Sequence, residues 1–350
     1  MLNVYTIKDR DKWNDIVKSF RNWDVYYLYE YAHSFMIHGD GEPLLIDYAD
    51  EESHVCYVVM QSDIASSGKF ENLLEKNTYF DWETPYGYGG PLSDSMVSEK
   101  SQNLFLAELS EYCKENGVVS QFVRFHPVLG NDKLVPKVIE PRYLRDTIYI
   151  DTSSEALIMQ NMDTKNRNMV RKAVKNGVTI EERPVEDYKD FISMYEQTML
   201  RDNADEYYMF DDEYFKSQSQ LSEYASLFYA VRNGRRISGA IMYYNNRFMH
   251  YHLSGTFAEE RSYSPGNLLL YEAACRASKM GISKFHLGGG IEPDDSLFSF
   301  KKKFNKNGRL PFVVGRTIFN ENGYEDLMKL RKQADEKFDI HNNRMIQYRR

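Results

Sequence analysis

A run of lysines that follows a glycine-rich segment is the part of this sequence best equipped for chemistry. Gly288 and Gly289 begin a glycine triplet, and Phe300 and Lys301 come shortly before Lys302, Lys303 and Lys306. A fixed ammonium group can stabilise an oxyanion, and glycines let a backbone approach a ligand closely. Lysine runs at the end of a helix are, however, usually solvated surface. The residue types alone leave both interpretations open and favour the surface.

A second candidate is a cationic stripe on a helix predicted over residues 154–176. Arg167, Arg171 and Lys175 are spaced four residues apart, so they share one face of that helix. Guanidinium groups match phosphate oxygens, and the stripe could hold an RNA backbone or the diphosphate of a nucleotide-linked molecule. Cations near the end of a helix also interact favourably with its dipole. Both interpretations stay open.

The segment Tyr86-Gly87-Tyr88 lies in a loop that is rich in glycine and proline. Glycines allow close backbone approach to a ligand, and the two rings offer stacking or hydroxyl contacts. Turn geometry alone would also account for the glycines. We favour a binding loop.

The elements that must position the lysine run form a strand, helix, strand pattern. We predict a strand over 248–253, a helix over 268–280 with Asn267 as its N-cap, and a strand over 282–287. Open α/β sheets bind ligands beyond the carboxyl ends of their strands, so a site is expected around Ser254 and residues 288–301. Tyr251 and His252 point to opposite faces of the first strand, and at most one of them faces the site.

Other polar side chains near these strand ends are expected to be structural. His126, His250 and His286 lie at or near predicted strand ends, where a buried, hydrogen-bonded imidazole is commoner than a catalytic base. Asp294 and Asp295 could accept a proton from an amine, but a turn role is favoured. No metal-ligand spacing is visible.

Composition limits the classes of protein. A chain of 350 residues is long enough for two domains, and a net charge of −8 argues against a surface that grips nucleic acid throughout, while allowing local basic patches. The three cysteines are far apart and indicate neither a zinc cluster nor a disulfide framework. No apolar run reaches the length of a membrane span, and the charged start does not resemble a signal peptide. We expect a cytoplasmic protein.

The order of predicted elements occurs twice. Residues 105–127 and 268–290 each give an amphipathic helix, a closing glycine and a strand that leads into a loop. Shared element order favours a duplication. The predicted fold is α/β (α+β), with a domain over 1–145 and a second over 146–350 that ends in a packing helix. Each domain is expected to hold a mixed central sheet flanked by helices.

Four segments in this order resemble the FemABX-type transferases, a branch of the GNAT superfamily. They are TPYGYGGPL (84–92), VRFHPVLGN (123–131), KNRNMVRKAVKNGV (165–178) and HLGGG…DDSLFSFKKKFN (286–305). The resemblance spans both halves of the chain and implies two tandem GNAT-like domains that transfer an acyl group to an amine. Characterised members of this family move amino acids from aminoacyl-tRNA onto peptidoglycan precursor peptides. No extended heptad run is present, so the chain resembles the compact form without a coiled-coil insertion.

The resemblance implies roles for the candidate residues. Lys301 of the Phe300-Lys301 pair would stabilise the oxyanion, and Phe300 would wall the site. Substrate would be bound by residues of the three segments and the strand end, which are Tyr86, Gly87, Tyr88, Arg167, Arg171, Tyr251, Ser254, Gly288 and Gly289. The expected partners are a phosphate-bearing cell-envelope precursor and aminoacyl-tRNA, with no DNA, no resident cofactor and no metal.

The segment Arg261–Asn267 bears on the acyl donor. GNAT acetyltransferases bind the pyrophosphate of acetyl-CoA with a glycine-rich loop whose N–H groups face the phosphates. Here only Gly266 is present, and Pro265 lacks an N–H. The segment is therefore a poor pyrophosphate loop, which favours an aminoacyl-tRNA donor. A CoA-dependent N-acyltransferase acting on a small amine or amino sugar and a non-catalytic binding protein remain the alternatives.

Overall fold

The computed structural model describes residues 1–349. The strands are β1 (Leu2–Tyr5), β2 (Glu42–Ala49), β3 (His54–Asp63), β4 (Phe80–Glu83), β5 (Val118–Arg124), β6 (Glu140–Asp151), β7 (Thr179–Pro184), β8 (Ala225–Arg232), β9 (Arg235–Tyr244), β10 (Phe248–Thr256), β11 (Lys284–Gly288) and β12 (Arg309–Ile318). The α-helices are α1 (Arg10–Ser19), α2 (Tyr29–His38), α3 (Glu99–Glu115), α4 (Glu155–Asn161), α5 (Thr164–Lys175), α6 (Lys189–Arg201), α7 (Asp212–Ser217), α8 (Pro265–Lys279), α9 (Ser296–Lys302) and α10 (Glu321–Ala334). Short 3-10 turns connect several of them.

Two compact units divide the chain, and the boundary differs from the predicted one. The first unit comprises Met1–Leu144 and Phe312–Arg350, and the second comprises Arg145–Pro311. The sequence analysis placed one boundary after residue 145 and assigned the end of the chain to the second domain. That end belongs to the first unit because β12 pairs with β5. Tyr324 and Leu327 of α10 also pack in one buried cluster with Val119 of β5.

Each unit has the same strand order, and the predicted duplication is confirmed. In the first unit the order is β1-β2-β3-β4-β5-β12, and in the second it is β7-β8-β9-β10-β11-β6. All neighbours are antiparallel except β4 with β5 and β10 with β11, which are parallel. The strand beside the parallel pair is β12, the last strand of the chain, in the first unit. In the second unit it is β6, which comes from the middle of the chain. The fold class is therefore the predicted one, a mixed sheet flanked by helices in each unit.

Helix α8 covers one face of the second sheet. Leu269 and Ala273 of this helix are buried in one cluster with Met249 of β10 and Phe285 of β11. The helix begins at Pro265, earlier than predicted, because proline is well suited to the first helical position. Its N-cap is Ser264 with φ 59°, rather than Asn267.

The helix predicted over 154–176 is two helices. α4 ends at Asn161, and the chain turns before α5 begins at Thr164. The Asp163 carboxylate accepts a hydrogen bond from Lys165 N at 2.7 Å, so it caps α5. Asp163 N donates to Lys303 O at 2.8 Å, which places the turn beside the segment that follows α9.

Candidate functional site

The parallel strands of the second unit separate at their carboxyl ends. β10 and β11 pair from Phe248↔Lys284 to His250↔His286 and no further, although β10 continues to Thr256. The register of β10 on β9 shifts between Tyr251 and Ser254. β11 ends at Gly288, whose φ of 74° turns the chain away. Beyond His250 and His286 the two strands are therefore not paired with each other, and this is the edge where α/β sheets bind ligands.

Lys301 lies on α9, and its side chain reaches the turn that follows β11. Its side chain is 8% exposed, and Nζ donates to the Gly289 carbonyl at 2.7 Å. Nζ also lies 5.8 Å from the centre of the Tyr251 ring, a cation–π distance. Among residues 1–349 no carboxylate forms an ion pair with it. A buried ammonium with a single carbonyl acceptor keeps N–H donors for a ligand, which a solvated lysine at a helix end would not.

Burial also changes the acidity of this lysine. Desolvation lowers the pKa of Lys301 from its ordinary value of 10.5 to about 8, and the charge of Asp295 opposes this shift. The group is therefore still largely an ammonium ion at neutral pH, while its proton becomes exchangeable in the mildly alkaline range.

Asp295 holds the glycine-rich loop against α9. Its Oδ1 accepts from Phe298 N at 2.7 Å, and its Oδ2 accepts from Ile291 N at 2.7 Å and Glu292 N at 3.0 Å. The predicted turn role of Asp295 is thus confirmed, because one carboxylate caps α9 and closes the loop that precedes it. It fixes the helix that carries Lys301.

Two arginines that the sequence did not single out brace the same loop. Arg145 donates to the Gly290 carbonyl at 3.0 Å. Arg309 pairs with Asp146 at 2.7 Å and lies 3.5 Å from Asp294. Nothing in the local sequence marks these residues, because they come from β6 and β12 and meet the loop only through the sheet.

Tyr251 and His252 take opposite faces, as predicted, and Tyr251 faces Lys301. The Tyr251 hydroxyl donates to Ser254 Oγ, and burial raises the pKa of Tyr251. His252 Nε2 lies 2.9 Å from the Tyr214 hydroxyl, and burial lowers the pKa of His252 to about 3, so the imidazole is neutral. Of the two, Tyr251 is the residue placed to contact a ligand.

The other three histidines near the predicted strand ends, His126, His250 and His286, are buried, and their structural role stays a prediction. His286 is buried, with Nε2 2.9 Å from Thr147 Oγ1, and its ring contacts His250 edge to face at 5.7 Å. His126 is buried in the first unit beside Asp24 at 3.1 Å.

The remaining predicted residues of the second unit fall into two groups. Gly288 and Gly289 line the turn after β11, and Phe300 packs against Phe304 with ring centres 5.4 Å apart. Together with Tyr251, Ser254 and Lys301, these three residues surround the end of the parallel pair. Arg167 and Arg171 lie apart from that turn, on α5.

Arg167 has a structural use that its sequence position did not suggest. Its Nη1 donates to the carbonyls of Met159 and Met162 at 3.1 and 2.9 Å, and its Nη2 donates to Thr164 Oγ1 at 2.9 Å. The guanidinium therefore joins the end of α4 to the start of α5. Arg171 is exposed and contacts only Asn168 Oδ1, at 3.2 Å. Phosphate binding by this pair stays a prediction.

Tyr86, Gly87 and Tyr88 lie in the first unit, whereas the lysine site lies in the second. The Tyr86 carbonyl accepts from the Tyr31 hydroxyl at 2.6 Å, and Gly87 has φ 91°. The Tyr88 ring packs edge to face on Phe312 at 5.3 Å. Turn geometry and aromatic packing account for this segment, and its role as a binding loop stays a prediction.

Comparison with known proteins defines first the class of fold. Residues 162–302 match the family model described as an acetyltransferase (GNAT) domain. The matched range contains β10, α8, β11 and α9, and so it includes Lys301. The predicted class of enzyme, an acyltransferase, is confirmed by this match. No curated protein sequence matches the chain.

Solved structures then show which proteins share this fold. The crystal structure of FemX is similar over 93% of this chain and 99% of its own, with a TM-score of 0.68 and 16% identity. A conserved Bacteroides thetaiotaomicron protein of unknown function covers 91% of this chain and 100% of its own, with a TM-score of 0.59 and 10% identity. The C-terminal domain of an Agrobacterium fabrum protein designated a lysylphosphatidylglycerol synthetase covers 90% and 93%, with a TM-score of 0.54 and 14% identity. The resemblance to the FemABX-type GNAT proteins is thus confirmed at the level of the fold.

Proposed function

We propose that this protein transfers an aminoacyl group from aminoacyl-tRNA to an amine of a cell-envelope precursor. The observation that carries the proposal is Lys301, a buried ammonium at the open end of a parallel strand pair with one carbonyl acceptor. Acyl transfer to an amine passes through a tetrahedral oxyanion, and a preorganised cation in a site shielded from water stabilises that charge.

The chemistry needs few protein groups. The acceptor amine attacks the ester carbonyl of the donor, an N–C bond forms, and the carbonyl oxygen becomes an oxyanion that Lys301 stabilises. The intermediate collapses with loss of the ribose oxygen, which takes the proton released by the amine. A substrate group can carry that proton, so the mechanism requires no protein base. The neutral His252 points to the other face of β10 and takes no part.

The start of α8 supports a donor other than CoA. Ser264 adopts φ 59°, and Pro265 occupies the first helical position, where it offers no N–H. A pyrophosphate bound at this helix would lose one of the N–H groups that such loops supply. CoA-dependent N-acylation is the second candidate, and the observation in its favour is the match of residues 162–302 to an acetyltransferase domain.

The acceptor is proposed from the names of two proteins with similar structures. FemX is a member by name of the family that the sequence resembles, and the Agrobacterium fabrum protein is named for an aminoacylated lipid of the envelope. Both names support an amine or headgroup of the cell envelope, and a peptidoglycan precursor is the acceptor we propose. No helix in residues 1–349 is long and apolar enough to cross a membrane. The cytoplasmic location stays a prediction.

Calorimetric titration distinguishes the two donors. The purified protein is titrated with acetyl-CoA and, separately, with bulk aminoacyl-tRNA at two salt concentrations. We expect salt-sensitive binding of aminoacyl-tRNA and no heat with acetyl-CoA. Saturable binding of acetyl-CoA without binding of tRNA would replace the proposal by CoA-dependent acylation. Absence of binding by both would contradict the proposed function.

A further inference from the structure

Two basic segments that are separate in sequence meet in the second unit. Residues 164–178 contain five cations and no acid, and residues 296–308 contain four cations and no acid. The turn before α5 joins them: Asp163 N donates to Lys303 O at 2.8 Å, and Lys306 N donates to Asn161 O at 3.2 Å. The start of α5 therefore lies directly beside the segment that follows Lys301.

The exposed cations of these segments form one surface, which we call the basic face. It comprises Lys165, Arg171, Lys172 and Lys175 of α5 with Lys303 and Lys306 after α9, and all six are exposed. Val170 and Ala173 form the buried side of α5, so the cations occupy its outer side. From Lys165 to Lys175 the helix rises about 15 Å, at 1.5 Å per residue. This length can follow several consecutive phosphates of one strand.

These cations lack the acidic partners that cations elsewhere in the unit have. Arg236 contacts Glu181, Asp187 and Asp190 within 2.6–2.9 Å, and Arg276 contacts Glu182 at 2.8 Å. In the part of the chain that the structure describes, no cation of the basic face forms an ion pair. At the turn that joins the two segments the exposed acid is Asp163, which caps α5, and the six cations of the basic face outnumber it in a chain of net charge −8. Their mutual repulsion is relieved when an external polyanion binds.

We infer that the basic face binds the phosphodiester backbone of the RNA that carries the aminoacyl group. This inference rests on the proposed function, because it assigns a binding surface to the tRNA part of the aminoacyl-tRNA donor. Lys303 and Lys306 follow Lys301 by two and five residues, and this segment connects the basic face to α9, the helix that carries Lys301. A membrane surface is disfavoured because the outer side of α5 presents only Met169 and Val174 as exposed apolar residues, too little for a buried apolar face.

Fluorescence anisotropy with bulk deacylated tRNA tests the inference. The test variant carries Lys165→Gln, Arg171→Gln, Lys172→Gln and Lys175→Gln, while Arg167 is kept because it braces the α4–α5 turn. A matched control neutralises four exposed lysines of the first unit, Lys8, Lys76, Lys114 and Lys133, and changes the net charge equally. We expect the Kd of the test variant to rise at least tenfold at about 0.1 M salt. The slope of log K against log salt should fall by roughly one for each phosphate that the variant no longer neutralises. The control should bind as the wild type does.

Two further probes, a short donor without an RNA body and lipid vesicles, separate this inference from its alternatives. Amide-linked 3′-aminoacyl adenosines lack an RNA body, so the test variant should bind them as the wild type does. If both proteins bind these short donors and also bind tRNA equally, the inference is wrong and the proposed function stands. If the wild type binds neither short donors nor tRNA, both fail. Vesicles of phosphatidylglycerol and phosphatidylcholine give the membrane alternative: loss of vesicle binding with unchanged tRNA binding would overturn the inference. The single reversal Lys172→Glu repeats the tRNA measurement should the fourfold variant misfold.

Discussion

The two units differ in how far their parallel strands pair. In the first unit the pairing continues into the loop after β4, whereas in the second it stops before β10 ends. In the first unit β4 pairs with β5 as far as Glu83↔Phe122, and Thr84 N continues the ladder to Phe122 O at 3.1 Å. Gly89 N then donates to Arg124 O at 2.7 Å. In the second unit the pairing of β10 with β11 stops at His250. The two units share one strand order, yet the parallel pairing continues into the following loop in the first unit and stops at His250 in the second.

Polar groups beyond the strand ends differ in the same way. In the first unit His126 N donates to Asn131 Oδ1 at 2.8 Å, and the Asn131 amide donates to the carbonyls of Gly89 and Pro91 at 2.8 and 2.9 Å. In the second unit the buried Lys301 donates to the Gly289 carbonyl, its one acceptor among residues 1–349. Buried polar groups are normally satisfied, so an ammonium with donors to spare indicates a ligand site. We therefore place the chemistry in the second unit, at Lys301.

The substitution Lys301→Met tests most directly whether the chemistry lies in the second unit. Loss of one preorganised oxyanion donor typically lowers kcat by about 10²–10³-fold, and we expect a fall of that size. The fold should persist, since methionine fills a similar volume and removes a charge that burial disfavours. Transfer of label from aminoacyl-tRNA to the acceptor measures the rate, and thermal unfolding monitors the fold.

Lys133→Met is the matched control for this variant. Lys133 is an exposed lysine of the first unit, and its removal should change neither rate nor stability. Retained turnover in Lys301→Met would show that the open end of the parallel pair is not where the oxyanion forms.

Arg349→Ala tests the opposite property, the structural use of the first unit. Arg349 Nε contacts Asp81 Oδ2 at 2.7 Å and Nη1 contacts Glu83 Oε2 at 3.0 Å, both on β4. Removing one partner leaves the buried Asp81 carboxylate without its cation, which costs about 3 kcal/mol in comparable pairs. We expect denaturant unfolding to show a loss of this order, with an unchanged rate of transfer per folded molecule.

The exposed Arg344, in the same terminal segment, supplies the control substitution Arg344→Ala, which should leave stability within about 0.5 kcal/mol. A loss of transfer by Arg349→Ala that exceeds its loss of folded protein would mean that the first unit also serves the reaction.

Much of this architecture was accessible from the sequence because it depends on local patterns. The strand, helix, strand order around α8, the duplication, the opposite faces of Tyr251 and His252 and the turn role of Asp295 follow from local sequence patterns. The start of α8 was misplaced because Asn267 was taken as the N-cap, whereas Pro265 is the first helical residue. The break between α4 and α5 was missed because Asp163 lies in a stretch of good helix formers, where its capping role is not evident.

What the sequence could not provide depends on long-range pairing. Assignment of β12 and α10 to the first unit follows from a strand that returns to β5, which no local signal announces. The braces Arg145 and Arg309 reach the glycine-rich loop only through the sheet. Arg167 was predicted as a phosphate ligand from its helical spacing, whereas its hydrogen bonds to the α4 carbonyls appear only in three dimensions.

The pH dependence of transfer sharpens the comparison further. The pKa of Lys301 is lowered to about 8 by burial, so the ammonium is lost as pH rises above that value. With saturating substrates the rate should fall about tenfold between pH 8 and 9.5, while deprotonation of the acceptor amine acts in the opposite direction at lower pH. The descending limb should be absent from the residual activity of Lys301→Met.

The same group also affects stability. The unfolded chain binds more protons than the folded one between pH 8 and the ordinary lysine pKa of 10.5, so the contribution of Lys301 to the free energy of unfolding rises with pH in that window. Urea titrations of the wild type and Lys301→Met across this range should diverge. A wild-type rate profile that keeps rising through pH 9.5 would contradict a catalytic ammonium at this position.

The smallest effect is expected from the loop that positions Lys301. An alanine Cβ at Gly290 would lie 2.1 Å from Asp295 Oδ1, so Gly290→Ala must displace the carboxylate that caps α9. We expect kcat to fall about threefold to tenfold, because a misplaced ammonium stabilises the transition state less well. Gly68→Ala, at a position with no atom within 4 Å of the new Cβ, is the control. If Gly290→Ala raises KM and leaves kcat unchanged, the loop binds substrate and does not place the lysine. The catalytic difference between the two units would then depend on Lys301 and the unpaired strand ends, and not on the glycine-rich loop.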